Sequence, residues 1–410
     1  MGFLYNIIIS IYAMLIRLAS PFNKKARQWV NGRKGWQEDL KKAFTAKGNV
    51  IWVHCASLGE FEQGRPVIEM LKEKMPAKSI LVTFFSPSGY EVMKKWPVAD
   101  HICYLPADTP SNAARFIEIV KPEIVIIIKY EFWNNFITGI HNRNIPLYLV
   151  SATFRPGQYF FRWYGGFFRE QLKKFNKIFV QDNDSLILLG SIGIGNVSVS
   201  GDTRFDRVAQ IADSSREIAI IEEFTGNEKI FLAGSSWPAD EEIIAGYINE
   251  NPGRMKWIFA PHEIDPGNIK RLESLLRVKS VRYSNPANDG DARVLIIDNI
   301  GLLSSAYRYA YVAEVGGGFG KGIHNILEPA CWGVPVLFGP DHNKFREAIE
   351  LLEGGGAFTF RSRAEFDTVL DKLFDDAEFY ANAAATSKKY ISVNKGATSK
   401  VIDDITRLSY

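Results

Sequence analysis

The sequence predicts an α/β protein of two doubly wound, Rossmann-like domains behind an N-terminal apolar helix. Three observations carry that expectation. Short apolar runs alternate with helical stretches from Asn49 to Phe338, the pattern of parallel strands joined by crossover helices. The 410 residues exceed one comfortable core. The series is interrupted at Gly201 to Ala212, a polar, turn-rich stretch that reads as a linker. The expected organisation is a membrane anchor at 1–22, a first domain at 23–205 and a second at 206–410, with the last helix free to cross back to the first domain.

The N-terminal run Phe3 to Ile16 carries no charge. It is shorter than the roughly 20 residues a span needs, although Leu18 to Phe22 extends it past Arg17. Asn6, Ser10 and Arg17 fall on one helical face, which suits a helix lying in the membrane interface. Lys24, Lys25, Arg27, Arg33 and Lys34 follow, a cluster matched to an anionic inner leaflet. A secretory signal is disfavoured, because no basic segment precedes the apolar run and no small-x-small cleavage site follows. A buried core helix is the alternative.

In the first domain the strands read as Val50–Cys55, Ser79–Phe85, His101–Leu105, Glu123–Lys129, Leu147–Val150 and Lys177–Val180, with a helix from Phe61 to Met75 and another from Tyr90. In the second they read as Ile230–Ala233, Lys256–Ala260, Arg293–Ile297, Tyr311–Val315 and Val334–Phe338. Doubly wound sheets bind ligands at the carboxyl ends of their strands, so the post-strand loops are the candidate sites. In the first domain these hold Ser57, Gly59, Glu60, Ser86, Ser88 and Glu131. In the second they hold Gly234, Ser235, His262, Ile300, Gly301 and the turn from Gly316 to Gly322. The cleft between two such domains is where a nucleotide-bound donor would meet an acceptor.

The glycine turn is the most informative of these. Gly317 and Gly318 let backbone approach an anion, and Lys321 adds a positive charge. Asn325 to Trp332 reads as a short helix, which sets His324, Asn325 and Glu328 on one face. A carboxylate beside a nucleotide makes sense as an acceptor for ribose hydroxyls. Glu60 has two readings. It is a candidate general base, and Ser57 with Glu60 also matches the S-x-x-E capping box. A carboxylate at a helix start is expected to stay ionised and to be a weaker base. His262 is either a phosphate donor or a structural loop histidine. Arg155 to Phe175 mixes aromatic and basic residues, and reads either as a membrane- or acceptor-facing surface or as an amphipathic helix.

Hydrophobic residues make up 46% of the chain and charged residues 23%, enough apolar material for sizeable cores. A net charge of +3 gives no support for a nucleic-acid partner. Cys55, Cys103 and Cys331 are far apart, and the six histidines show no zinc-type pairing, so no metal site is expected. Scarce cysteine fits a reducing compartment.

Six stretches, in order, are HCASLGEFEQGRPVIEML, FFSPSGYE, KYEFW, AGSSWPADEE, DNIGLLSSAYRYA and GGGFGKGIHNILEPACWGVPVLFGP. Together they resemble the Kdo transferases, which move 3-deoxy-D-manno-octulosonic acid (Kdo) from CMP-Kdo onto lipid A precursors. The resemblance implies a GT-B fold, inversion at the anomeric carbon, no metal ion and no cofactor beyond the donor substrate CMP-Kdo. It implies a first domain that binds the acceptor through Ser57, Gly59, Ser86 and Ser88, and a second that binds CMP-Kdo. Glu60 matches the family's catalytic base, and Glu131 the second glutamate of its Glu-x-Glu-x-Trp-Pro segment. Gly234 and Ser235 match a donor-phosphate loop, and Asn325 and Glu328 the nucleotide-binding pair. The sequence departs from the family at three places. Pro261 precedes His262 where many members have arginine, Lys129 stands for the first glutamate, and Asn134 for the proline. The expected location is the cytoplasmic face of the inner membrane. Alternatives are another lipid glycosyltransferase, a UDP-sugar epimerase, which would not need the anchor, or a non-catalytic nucleotide-binding protein.

Overall fold

A computed structural model describes residues 1–44, 49–286, 291–320 and 322–407. The chain divides into two units. One runs from Met1 to Arg207 and takes up the chain again from Lys395; the other is Val208–Asn394.

The first unit is a seven-stranded parallel sheet: β1 Val50–Cys55, β2 Ser79–Phe84, β3 His101–Tyr104, β4 Pro122–Ile128, β5 Leu147–Ala152, β6 Lys177–Val180 and β7 Val197–Val199. The strand order is β3-β2-β1-β4-β5-β6-β7. Val53 pairs with Val82 on one side and Ile126 on the other, and the central strands are buried and apolar along most of their length. The order reverses between β1 and β4, and ligands bind doubly wound sheets at the carboxyl ends of the strands at such a reversal. The helix Leu58–Lys74 buries Phe61, Val67, Ile68 and Leu71 on this sheet. Val401, Ile402 and Ile405 of the final helix Ala397–Arg407 complete the same core, which is why the second unit ends at Asn394 rather than at the chain end.

The second unit repeats the plan with β8 Ile230–Ser236, β9 Lys256–Pro261, β10 Ser280–Arg282, β11 Val294–Ile296, β12 Val312–Val315, β13 Val336–Phe338 and β14 Ala357–Thr359. The order is β10-β11-β9-β8-β12-β13-β14. Its reversal falls between β8 and β12.

The stretch expected as a linker is instead the helix Thr203–Ser214. Phe205 and Val208, three apart, are buried. Several of its polar residues are engaged with distant parts of the chain. Arg207 Nε lies 3.0 Å from Glu62 Oε2, and Asp206 Oδ2 accepts the Thr398 N–H at 2.7 Å.

The N-terminal helix is Gly2–Ala19, long and apolar enough to cross a membrane. It is also docked on the first unit. Ile9 and Ala13 are buried, and Tyr5 Oη donates to Asp108 Oδ2 at 2.6 Å. Asn6 Oδ1 accepts from Asn135 Nδ2 at 2.9 Å. Phe3, Leu4, Ile8, Leu15 and Leu18 remain exposed. The segment Arg155 to Phe175 is not one helix. It contains a 3-10 turn, Tyr159–Phe161, and a helix, Gly166–Leu172. Phe160 and Phe175 enter the core, while Trp163 is 91% exposed and Tyr164 is exposed beside it.

Candidate active site

Glu60 lies in the first turn of the helix that follows β1, and Glu131 three residues beyond β4, on the two strands that flank the reversal of order. Glu60 Oε2 accepts the Ala56 N–H at 2.5 Å, whereas the Ser57 hydroxyl makes no bond to the helix start. Glu60 thus braces the loop one residue before the N-cap Ser57, and the hydroxyl half of the capping box is not made. The helix start does not leave Glu60 a weak base. Burial, and next the charge of Glu131, push its carboxyl up to about 7, against the pull of the Ala56 N–H and Lys129. Two carboxylates that repel in this way resist being ionised together.

Beneath Glu131 is a buried polar chain. His54 is 1% exposed in the otherwise apolar β1. Its Nε2 lies 3.8 Å from Glu131 Oε2 and accepts from Trp133 Nε1 at 3.2 Å. The ring proton is therefore on Nδ1, which donates to Thr83 Oγ1 at 2.8 Å. Trp52 Nε1 donates to the same oxygen at 2.8 Å. This chain ties the loop that carries Glu131 and Trp133 to β1 and β2.

The residues expected to bind the acceptor form one rim. Ser86 N donates to Ala56 O at 2.7 Å, joining the loop after β2 to the loop after β1. Ser86 Oγ and Ser88 Oγ are 3.0 Å apart at the start of the helix Pro87–Met93. Ser57 and Gly59 lie on the same loop as Glu60, and Gly59 is exposed.

In the second unit Gly234 and Ser235 end β8 and the glycine turn follows β12, again on the strands that flank the reversal. A Cβ at Gly234 would lie 1.9 Å from Tyr307 Oη, so only glycine fits there. The turn is held from below. Gly317, at φ +96°, donates its N–H to Asp240 Oδ2 at 3.1 Å, and Gly316 donates to Gly234 O at 3.0 Å. These two N–H groups brace the turn rather than face a ligand. Asp240 and the neighbouring Glu314 are fully buried, and burial raises both above the usual carboxylate range. Gly318 packs against Gly339, where a Cβ would meet the backbone N at 2.5 Å. Lys321 lies outside the described residues.

The helix after the turn is Leu327–Cys331, shorter than expected. Asn325 Oδ1 accepts the Leu327 N–H at 3.3 Å and starts the helix late. Asn325 Nδ2 donates to Glu328 Oε1 at 3.1 Å, and Ser304 Oγ to Glu328 Oε2 at 2.8 Å. Asn325 and Glu328 therefore act together, but His324 sits outside the helix. It faces His262 instead, with ring centroids 4.5 Å apart, and burial and then His262 push it down to about 4. Ile300, 90% exposed, and Gly301 follow β11, which β9 separates from β8. Among the described residues no hydrogen bond joins them to the glycine turn.

Three non-glycine residues take left-handed backbone conformations at strand carboxyl ends: Lys129 (φ +66°), Ser151 (φ +58°) and Ser235 (φ +52°). Such outliers cluster at functional sites. Asn49, Lys121 and Asn144 share the conformation in turns before strands, where it merely ends a helix or loop. Sequence reading missed His54, Thr83, Asp108, Trp237 and Asp240. A histidine inside the apolar run VIWVHC was the one signal available.

Residues 32–207 match the family described as "3-Deoxy-D-manno-octulosonic-acid transferase (kdotransferase)". A 3-deoxy-D-manno-octulosonic acid transferase of Aquifex aeolicus is 32% identical over 345 residues, 82% of this chain and 88% of its own. One from Haemophilus influenzae is 26% identical over 376 residues, 86% of each chain. Among solved structures, the UDP-GlcNAc 2-epimerase from Neisseria meningitidis bound to UDP-GlcNAc gives a TM-score of 0.64 at 17% identity, covering 87% of this chain and 99% of that one. That last likeness is one of fold.

Proposed function

The chain belongs to the Kdo transferase family, and on that premise we propose that it moves Kdo from CMP-Kdo to a lipid A precursor such as lipid IVA, with inversion and with Glu60 as general base. Kdo transfer is a glycosyl transfer in lipopolysaccharide synthesis. The epimerase alternative is left with likeness of fold alone.

The observation that carries the base assignment is the Glu60 carboxyl, held at about 7 by burial and Glu131. A sugar hydroxyl is a poor nucleophile near neutral pH, and a base works best when its pKa is close to the working pH. Once ionised, Glu60 takes the acceptor proton as the hydroxyl oxygen bonds the anomeric carbon and the bond to CMP breaks. Glu131 keeps Glu60 basic. The leaving phosphate collects the negative charge, which nearby N–H groups stabilise. Gly234, Ser235, His262, Gly318, Lys321 and His324 are assigned to that end of the donor, with Gly317 shaping the turn from below through its bond to Asp240; Asn325 and Glu328 are assigned to the ribose, and Ile300 and Gly301 to the nucleotide.

The test is the pH dependence of turnover at saturating CMP-Kdo. The rate should rise with pH through an apparent pKa of about 7. In Glu131→Gln the loss of a neighbouring negative charge should move that rise to lower pH. A rise near the ordinary carboxylate value, or one unmoved in Glu131→Gln, would remove Glu60 from the role.

The proposed location is the cytoplasmic face of the inner membrane. The exposed apolar side of Gly2–Ala19, the exposed Trp163 and Tyr164, and the exposed Lys24, Lys25, Arg27 and Lys34 lie on one unit and suit an anionic surface; Arg33, expected in that cluster, instead turns inward to the carbonyls of Trp29, Phe85 and Leu105. The full chain should float with vesicles containing phosphatidylglycerol, more weakly as salt rises. Binding that is equal on neutral vesicles and insensitive to salt would contradict a role for the basic cluster.

A further inference from the structure

Trp237, His262 and His324 form a three-ring stack beside the glycine turn. The Trp237 and His262 centroids are 4.5 Å apart, as are those of His262 and His324. Trp237 and His324 are nearly coplanar in orientation, at 8°, and Trp237 Nε1 lies 3.0 Å from His324 Nε2. An indole nitrogen only donates, so Nε2 must accept. The single proton of the neutral ring is then on Nδ1. Protonating the ring would set two N–H donors against each other, which disfavours the cation independently of burial.

We propose that Trp237 is a positioning residue: it fixes His324 as the neutral Nδ1–H tautomer, so that His324 donates from Nδ1 to a phosphoryl oxygen of the donor nucleotide. The proposal rests on the reading of this turn as the donor site. Trp237 is anchored directly to the Asp240 carboxylate, and His324 through the turn that the same carboxylate holds. Asp240 Oδ2 accepts the N–H of Trp237 at 2.9 Å and that of Gly317 at 3.1 Å. His324 N donates to Gly316 O at 3.1 Å. The indole and the imidazole are thus held in register by the same buried group, and among the described residues His324 Nδ1 has no hydrogen-bond partner of its own. The stack leaves the imidazole one hydrogen to give and fixes which atom gives it.

The full chain in detergent micelles, labelled with ¹⁵N-histidine, reports the tautomer directly, and His324→Gln identifies the relevant signals. At neutral pH His324 should show a protonated Nδ1 and an unprotonated Nε2; the other tautomer or an imidazolium overturns the proposal without any variant having to fold. Trp237→Phe keeps a ring in the stack and removes the N–H. His324 should then populate both tautomers, and calorimetry should show the affinity for CMP falling about tenfold. An unchanged tautomer and affinity in Trp237→Phe overturn the proposal. Absence of CMP binding to the unsubstituted chain overturns the donor-site reading and the phosphate role with it. A wrong tautomer alongside intact CMP binding overturns the Trp237 assignment alone.

Discussion

Glu60→Gln should lower transfer by about 10²–10⁴-fold, the typical contribution of a positioned base, while CMP binding is kept. Glutamine has nearly the same size and can still accept the Ala56 N–H that Glu60 Oε2 accepts now. It cannot take a proton from the acceptor. Stability should move the other way. The Glu60 carboxyl is raised from 4.5 to about 7 in the folded chain, so the folded state binds its proton more tightly than the unfolded state. As pH rises through that window the unfolded chain ionises first, and the buried charge costs stability. The cost is absent below about 4.5 and complete above about 7. Glutamine never incurs it. The melting temperature of Glu60→Gln relative to the parent should therefore climb across the window. A mere helix cap predicts near-normal turnover and little change in stability at any pH, because glutamine keeps the bond to the Ala56 N–H. That outcome would move the search for the base to Glu131.

Asp108→Ala should cost about 3 kcal/mol, among the larger effects of a single substitution. Asp108 is 1% exposed. Its Oδ2 accepts from Tyr5 Oη at 2.6 Å and Asn135 N at 3.0 Å, and its Oδ1 from Phe136 N at 3.0 Å. It thereby caps the helix Asn134–His141, which begins directly after Glu131, Phe132 and Trp133. It also pins the N-terminal helix to that point. Asn134, standing where the family pattern has proline, brings an extra N–H, and Tyr5 Oη accepts it at 3.3 Å. Alanine orphans two backbone donors and a hydroxyl at once. Part of the loss is offset because the carboxylate itself resists burial, which raises its pKa. The denaturant midpoint at pH 7 reads the effect. A loss below about 0.5 kcal/mol, the range of ordinary surface changes, would show that the N-terminal helix and the Glu131 loop are not tied through Asp108.

The doubly wound plan was legible because buried parallel strands are apolar along most of their length. Val50–Cys55 and Lys177–Val180 keep the bounds read from sequence, and the other strands differ by one to three residues at one or both ends. The strands β7, β10 and β14 escaped notice. Each has three residues at or near a sheet edge, too few for a pattern. The helix Thr203–Ser214 was hidden by its composition, since its polar residues bind partners far along the chain. Glu60 and Glu131 could be picked out because loops at strand ends are few. Their environment could not. The contacts that tune the two sites, His54 with Thr83 and Trp133, and Trp237 with His324, join residues 29, 79 and 87 positions apart. Sequence spacing carries no record of such pairings. The expected helix-dipole effect on Glu60 failed for the same reason: burial and Glu131 outweigh a local helix start.

The most direct measurement incubates the full chain in micelles with a lipid A precursor and, in parallel, CMP-Kdo, UDP-GlcNAc or GDP-mannose, then weighs the products by mass spectrometry. The account predicts a lipid heavier by one or more Kdo residues with CMP-Kdo and unchanged lipid with the other two. Unchanged lipid with CMP-Kdo, or a product from either of the others, would contradict it.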